Sequence, residues 1–229
     1  MGKTYHDVLK TMNIDVGFIC DTDKNIETIS DYKEALNIPN IDGVIISTYG
    51  PSHYEILKYA INKKIKNIIC EKPFTTSVKH ADEIIKLIDK NNLRLTVNYV
   101  RRFSDSYSSL IKEIHNDKKI GIPKSIIITC GAGGISTMGT HFLDLCTYLL
   151  DEKVISVMAF PINKNLPNPR GKTFEDPGGY FILNFENEKR AFIDMGDDLG
   201  LQPKIEIIGN YGRIEINEIT KKIIGKARK

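Results

Sequence analysis

The chain has 229 residues, 41% of them hydrophobic and 27% charged, which fits a globular protein with one large core or two modest ones. The formal net charge is +3 and the lysines are dispersed in pairs such as Lys63-Lys64 and Lys118-Lys119, not gathered into a basic stripe, so no nucleic-acid partner is expected. No signal peptide or long apolar run stands out, so no membrane partner and a cytoplasmic protein are expected.

Tyr5, Val8, Leu9 and Met12 recur at helical spacing, which predicts an amphipathic helix from Gly2 to about Met12. Ile14 to Cys20 reads as a buried strand ending on Asp21-Thr22-Asp23, and Thr28 to Leu36 as a short, weak helix. Gly43 to Ser47 is a second apolar strand, followed by the loop Thr48-Tyr49-Gly50-Pro51-Ser52-His53 and a helix from His53 to Lys63. Ile68, Ile69 and Cys70 in succession predict a strand buried on both faces. A helix with the stripe Val78, Ala81, Ile84, Ile85 and Ile88, capped by Thr76 or Ser77, leads to the strand Leu93 to Tyr99. Strand and helix alternate four times, which predicts βαβ units and a parallel sheet.

The pattern changes after Arg101-Arg102-Phe103. A helix from about Asp105 to Asn116 precedes a strand at Lys124–Cys130, a link Gly131-Ala132-Gly133-Gly134 and a helix from about Thr137 to Leu150. Five short strands follow (Val154–Phe160, Gly179–Phe185, Arg190–Met195, Lys204–Ile208 and Arg213–Ile216) without intervening helices, which predicts an antiparallel sheet. Low complexity is confined to the basic tail after Lys221. Cys20, Cys70, Cys130 and Cys146 lie far apart inside apolar runs, so reduced core thiols are expected and no metal site.

Three constellations carry chemistry. Glu71 and Lys72 stand at the end of a parallel strand, where ligands bind in open α/β sheets, and Pro73 stops ladder bonding and holds Lys72 extended. Lys72 is then a candidate acid/base or substrate-orienting group; the other reading is a surface salt bridge. Asp21, ending a strand 19 residues after Gly2, stands where an adenosine ribose is held, although no complete G-x-G-x-x-G is present. Thr137, His141 and Asp144, at i, i+4 and i+7, share one helix face. His141 there either exchanges a proton with a substrate hydroxyl or is a buried histidine satisfied by Asp144.

Together, Glu71-Lys72-Pro73, Arg101-Arg102-Phe103, and Gly133-Gly134 leading to Gly139-Thr140-His141-Phe142-Leu143-Asp144 resemble the Gfo/Idh/MocA family of NAD(P)-dependent oxidoreductases. The resemblance extends over Thr48 to His53, Ile205 to Gly209 and Gly212 to Glu215. It implies a Rossmann-type α/β domain over 1–103, with its first strand missing, and an α+β substrate and dimerisation domain over 104–229 whose open, mainly antiparallel sheet joins a homo-oligomer. It also implies hydride exchange between nicotinamide and a carbinol or keto carbon of a sugar, polyol or nucleotide-sugar. The cofactor site it implies comprises Gly2, Asp21, Thr48, Pro51, His53, Glu71 and Lys72. Lys72 matches the lysine that binds the reacting hydroxyl, His141 the acid/base, and Thr137, Asp144 and Arg102 the substrate-binding residues. Asp21 favours NAD over NADP, because a carboxylate repels a 2′-phosphate, although Lys24 offers some phosphate contact. Thr137 departs from the family's usual acid or amide, and the chain is short at both ends. A non-catalytic binding relative and an inactive fragment are the alternative readings, and the chain as given is expected to bind dinucleotide poorly or not at all.

Overall fold

A computed structural model describes residues 1–23, 25, 28–131, 133–162, 175–196, 199–200 and 202–227. The chain forms two compact units, Met1–Asn98 and Tyr99–Lys229.

The first unit runs α1 (Gly2–Thr11), α2 (Tyr32–Ala35), β1 (Gly43–Ile46), α3 (Gly50–Asn62), β2 (Asn67–Cys70), α4 (Val78–Asn91) and β3 (Arg94–Val97). The strands form a parallel sheet in the order β1-β2-β3, with Ile46, Cys70 and Val97 in register at its carboxyl edge. Pro51 lies in the first turn of α3, where a missing N–H costs nothing. Asn92 ends α4 in the left-handed conformation that asparagine tolerates well. Leu57, Ala60 and Ile61 of α3 and Ile84 and Ile88 of α4 pack against Ile46, Ile68 and Cys70. Each large side chain so buried contributes about 1.5–3 kcal/mol.

Three expectations are corrected in this unit. Ile14 to Cys20 is not a ladder strand: among the described residues its bridge is Cys20 to Ile29 alone, and Ile14, Val16 and Ile19 are exposed. An isolated extended segment has no stability of its own, and no described strand lies beside this one to complete its hydrogen bonds. The strand at 67–70 is buried on one face only. Both α3 and α4 cover the side carrying Ile68 and Cys70, whereas Ile69 points away and stays 36% exposed. The helix expected over Thr28 to Leu36 shrinks to one turn, Tyr32–Ala35. It starts where the Asp31 carboxylate accepts the Lys33 N–H at 2.8 Å.

The second unit runs α5 (Asp105–His115), β4 (Pro123–Thr129), a π-helical turn (Ile135–Gly139), α6 (Thr140–Leu150), β5 (Val154–Ile162), β6 (Gly178–Phe185), β7 (Arg190–Met195), β8 (Lys204–Gly209), β9 (Gly212–Asn217) and β10 (Lys222–Ala227). Its sheet has the order β10-β9-β8-β4-β7-β6-β5 and is antiparallel except for β4 against β7. Tyr107, Leu110 and Ile114 of α5 and Phe142, Leu145 and Leu149 of α6 cover one face, meeting inward residues such as Ile128, Phe181, Ile193, Ile207 and Ile214. The other face is open. Met158, Ile182, Phe192 and Ile127 run across four strands in register there, and the row continues into Glu206 and Glu215. Lys189 fixes the carboxyl end of α6: its buried Nζ donates to the Leu150 carbonyl at 2.7 Å and pairs with Glu152 at 2.9 Å.

The basic tail expected after Lys221 is instead β10. The turn at Glu218–Lys221 folds it back onto β9, whose open edge supplies the ladder from Lys222↔Asn217 to Ala227↔Gly212. Cys70, Cys130 and Cys146 are buried free thiols, and Cys20 is partly buried. No helix among the described residues is long and apolar enough to cross a membrane, and no cluster of three metal-ligating side chains occurs among them.

Candidate functional site

The residues singled out from the sequence fall into two groups, one on each unit. In the first unit Thr48, Glu71 and Lys72 lie at the carboxyl ends of the parallel strands, next to residues that the sequence did not single out. Ser47 and Thr48 follow β1, Glu71 and Lys72 follow β2, and Asn98 follows β3. The ladder extends into this edge, since the Glu71 N–H donates to Ile46 O at 2.8 Å and the Asn98 N–H to Cys70 O at 2.8 Å. The amino end of α1 approaches the same edge: a Cβ on Gly2 would lie 3.1 Å from Ser47 Oγ, and no side chain caps the helix. Uncapped N–H groups at a helix start and the small side chain at Gly2, which keeps the helix end close to the strand edge, fit the phosphate portion of a dinucleotide.

Glu71 is 6% exposed. Its Oε1 accepts from Tyr5 Oη at 2.7 Å and from Asn98 Nδ2 at 2.8 Å, and its Oε2 accepts from the Lys72 N–H at 3.3 Å. The peptide bond between Lys72 and Pro73 is cis. Expected among the cofactor contacts, Glu71 is bound inward, and Lys72 is the partly exposed member of the pair. His53 is fully buried. Its Nδ1 lies 2.8 Å from Pro73 O and its Nε2 3.0 Å from Thr48 O, so it ties the loops after β1 and β2 together from within α3. Thr48 is exposed on the first of those loops and Pro51 in the first turn of α3, and Thr48 Oγ1 accepts from Ser52 Oγ at 2.8 Å. Asp21 is exposed in a turn and accepts the Asp23 N–H at 3.0 Å. With residues 14–20 outside the ladder, Asp21 does not end a strand, contrary to expectation. Lys24 lies outside the described residues.

In the second unit, Arg101 and Arg102 sit on a 3-10 turn, Val100–Phe103, just before α5, and make different partners. Arg102 Nε donates to both Asp144 oxygens at 2.9 Å, and its guanidinium lies over the Tyr148 ring. Burial lifts the Asp144 carboxyl above its ordinary range, while the Arg102 hydrogen bond and charge pull it back only in part. His141 packs edge-on against Tyr99, with ring centroids 6.0 Å apart.

Thr137 lies in the π-helical turn ahead of α6, so the simple i, i+4 geometry with His141 is interrupted. The Asp176 carboxylate takes three donors there: the Ser136 N–H at 2.7 Å, the Thr137 N–H at 2.9 Å and Thr137 Oγ1 at 2.7 Å. Gly134 permits this approach, because a Cβ there would overlap the Asp176 carboxyl group.

Sequence reasoning did not find Tyr5, Asn98, Asp176 or Glu218. Arg101 Nε and Nη2 each donate to Glu218 at 2.7 Å, and Tyr107 Oη donates to the same carboxylate at 2.8 Å. Burial by itself would raise the Glu218 carboxyl, but the Arg101 hydrogen bonds and charge outweigh it and hold the group below its ordinary value. The only sequence signal for Asn98 was an amide closing an apolar strand, and for Asp176 an acid before Pro177-Gly178-Gly179.

A parallel α/β unit with polar strand ends, followed by a helix-backed sheet open on its other face, defines a Rossmann-type protein with a second mixed-sheet domain. Residues 11–99 match the oxidoreductase family with an NAD-binding Rossmann fold, Gfo/Idh/MocA. Over 199 residues, 80% of this chain, it is 30% identical to the oxidoreductase YrbE of Bacillus subtilis and 30% identical to an inositol 2-dehydrogenase of Mycolicibacterium smegmatis. It covers 57% and 56% of those proteins, so it spans little more than half the length of the curated relatives that it matches. Among solved structures, the WlbA dehydrogenase of Bordetella pertussis, in complex with NADH and UDP-GlcNAcA, superposes with a TM-score of 0.83 at 16% identity. That match covers 99% of this chain and 80% of the other. Over residues 11–99 the chain is similar to the Gfo/Idh/MocA oxidoreductases, and its longer likeness to YrbE and to the inositol 2-dehydrogenase agrees with that family.

Proposed function

We propose, against the expectation of poor dinucleotide binding, that the chain acts as an NAD-dependent oxidoreductase, moving a hydride between nicotinamide and a carbinol or keto carbon of a sugar, polyol or nucleotide-sugar. The observation that carries this reading is Lys72, partly exposed beside the buried Glu71 at the carboxyl end of the central strand β2. An ammonium group there suits the developing alkoxide of a substrate hydroxyl. His141 is the acid/base of the second unit, with Arg102, Thr137 and Asp144 as its substrate-binding neighbours. The Asp176 carboxylate on Thr137 brings a negative charge to the place where threonine has none. NAD supplies the hydride acceptor; Gly2, Asp21, Thr48 and Pro51 are the residues to hold it, and His53 and Glu71 fix the loops around it. The relatives that are named inositol 2-dehydrogenases and the nucleotide-sugar complex of the Bordetella enzyme support a sugar or polyol substrate. We place the protein in the cytoplasm, as a homo-oligomer joined through the open sheet face.

The test is NADH formation, followed by its absorbance, with saturating NAD and a panel of inositols, hexoses and nucleotide-sugars. A substrate-dependent rate in the wild type that is lost in Lys72→Met supports the reading. No rate with any member of the panel, or an equal rate in Lys72→Met, rejects it.

A further inference from the structure

Tyr5 and Asn98 stand 66 and 27 residues from Glu71, yet both donate to its Oε1, and Asn98 Nδ2 also donates to Tyr5 Oη. Each member arrives from a different element: the first turns of α1, the end of β2 and the end of β3. The backbones of Glu71 and Asn98 are already locked by the sheet through Ile46 O and Cys70 O. The Lys72 N–H closes the set on Oε2. A carboxylate this buried requires donors on both oxygens, and this one has them. Tyr5 and Cys70 are titratable groups that interact with it, and Lys72 follows it in the chain. Burial, and next the Glu71 hydrogen bond, raise the Tyr5 phenol far above its ordinary range. Burial, followed by the Glu71 charge, pushes the Cys70 thiol up to about 12. Both therefore stay protonated as donors: Tyr5 to the carboxylate, and Cys70 Sγ to Glu71 O at 3.4 Å.

We propose that Tyr5, Asn98 and Glu71 form a buried positioning triad for Lys72, setting both the backbone and the local field in which its ammonium group works. This deepens the proposed function, since it names residues that act through the hydroxyl-binding lysine. Two hydrogen bonds to Oε1 neutralise part of the Glu71 charge. Their removal leaves a fuller negative charge beside Lys72 and favours its protonated form, whereas removal of the carboxylate itself disfavours that form.

Competitive acetylation of the full chain across a pH series, read at Lys72 by peptide mass spectrometry with exposed Lys10 and Lys90 as internal standards, measures this directly. In Tyr5→Phe the midpoint of Lys72 labelling is expected to rise by about 0.5 pH unit, a loss of about threefold in reactive amine at fixed pH. In Glu71→Gln it is expected to fall. Asn98→Ala and Glu71→Met replace these variants wherever circular dichroism shows one to be unfolded. Loosening of the structure alone would carry Lys72 toward the standards in every variant. Opposite movements in the two classes support the triad; any other pattern, including no movement, overturns it. The labelling needs neither cofactor nor turnover. Its failure is thus separable from failure of the Lys72→Met assay, which bears on the proposed function and not on the triad.

Discussion

Replacing Arg101 by methionine tests the energetics of the second unit most sharply. Arg101 and Glu218 are joined by two 2.7 Å hydrogen bonds, with side chains 12% and 24% exposed, and Arg101 also lies over the Phe142 ring at 5.0 Å. Methionine keeps much of the apolar volume and leaves the Glu218 carboxylate with Tyr107 as its remaining described donor. Breaking a buried pair on one side costs about 3–5 kcal/mol; the residual exposure of Glu218 sets the expected loss at about 2–3 kcal/mol. At roughly 3–5 °C per kcal/mol for a unit of this size, the melting transition should drop by about 6–15 °C. The double variant Arg101→Met/Glu218→Gln removes the stranded charge and should recover about 1–2 kcal/mol. Calorimetry reads the transition, and hydrogen exchange on α5 and β9 assigns it to this unit. A single variant within about 0.5 kcal/mol of wild type, or a double variant less stable than the single, would refute the reasoning. The pH dependence has a definite sign. The folded Glu218 carboxyl titrates below its ordinary 4.5, so the advantage of wild type over Glu218→Gln is complete above that value. It disappears as pH falls through the lowered folded value.

Asp176→Ala strands three donors at the turn before α6 and should cost about 1–2 kcal/mol by urea denaturation, in the range of a lost helix cap; an unchanged midpoint would contradict this. Isothermal titration should show NAD preferred over NADP, since Asp21 is an exposed carboxylate with no arginine in the turn that follows it; equal affinities would argue against that assignment. Phe192→Glu places a charge in the apolar row between Ile182 and Ile127 and should lower the mass measured by light scattering to that of a monomer. An unchanged assembly would move the interface elsewhere.

What could be read in the sequence was the part written in local periodicity. The α3 and α4 stripes and strands such as Arg190–Met195 lie where their spacing put them, because each buries a regular face against a neighbour close in the chain. The segment 14–20 failed for the complementary reason: an apolar strand pattern states a demand for partners and does not supply them. Lys222–Ala227 looked like a tail because two lysines and a glycine mask a short strand, and only the edge of β9 makes it one. In the candidate site, Lys72, His141 and Asp144 could be singled out as candidates because motif residues adjoin each other in the chain. Tyr5, Asn98, Asp176 and Glu218 were not. Their functional neighbours are 27 to 117 residues distant, and an isolated tyrosine, amide or acid carries no mark of what it will meet.

The central claim is that Lys72 binds the hydroxyl from which hydride leaves for NAD. Single-turnover hydride transfer at saturating NAD, measured in wild type and Lys72→Met with the substrate found by the polyol and nucleotide-sugar panel, tests it most directly. The account predicts a fall in the transfer rate of about 100-fold or more, with NAD affinity changed less than about threefold. An equal transfer rate in the two proteins, or a loss confined to NAD affinity, would contradict it.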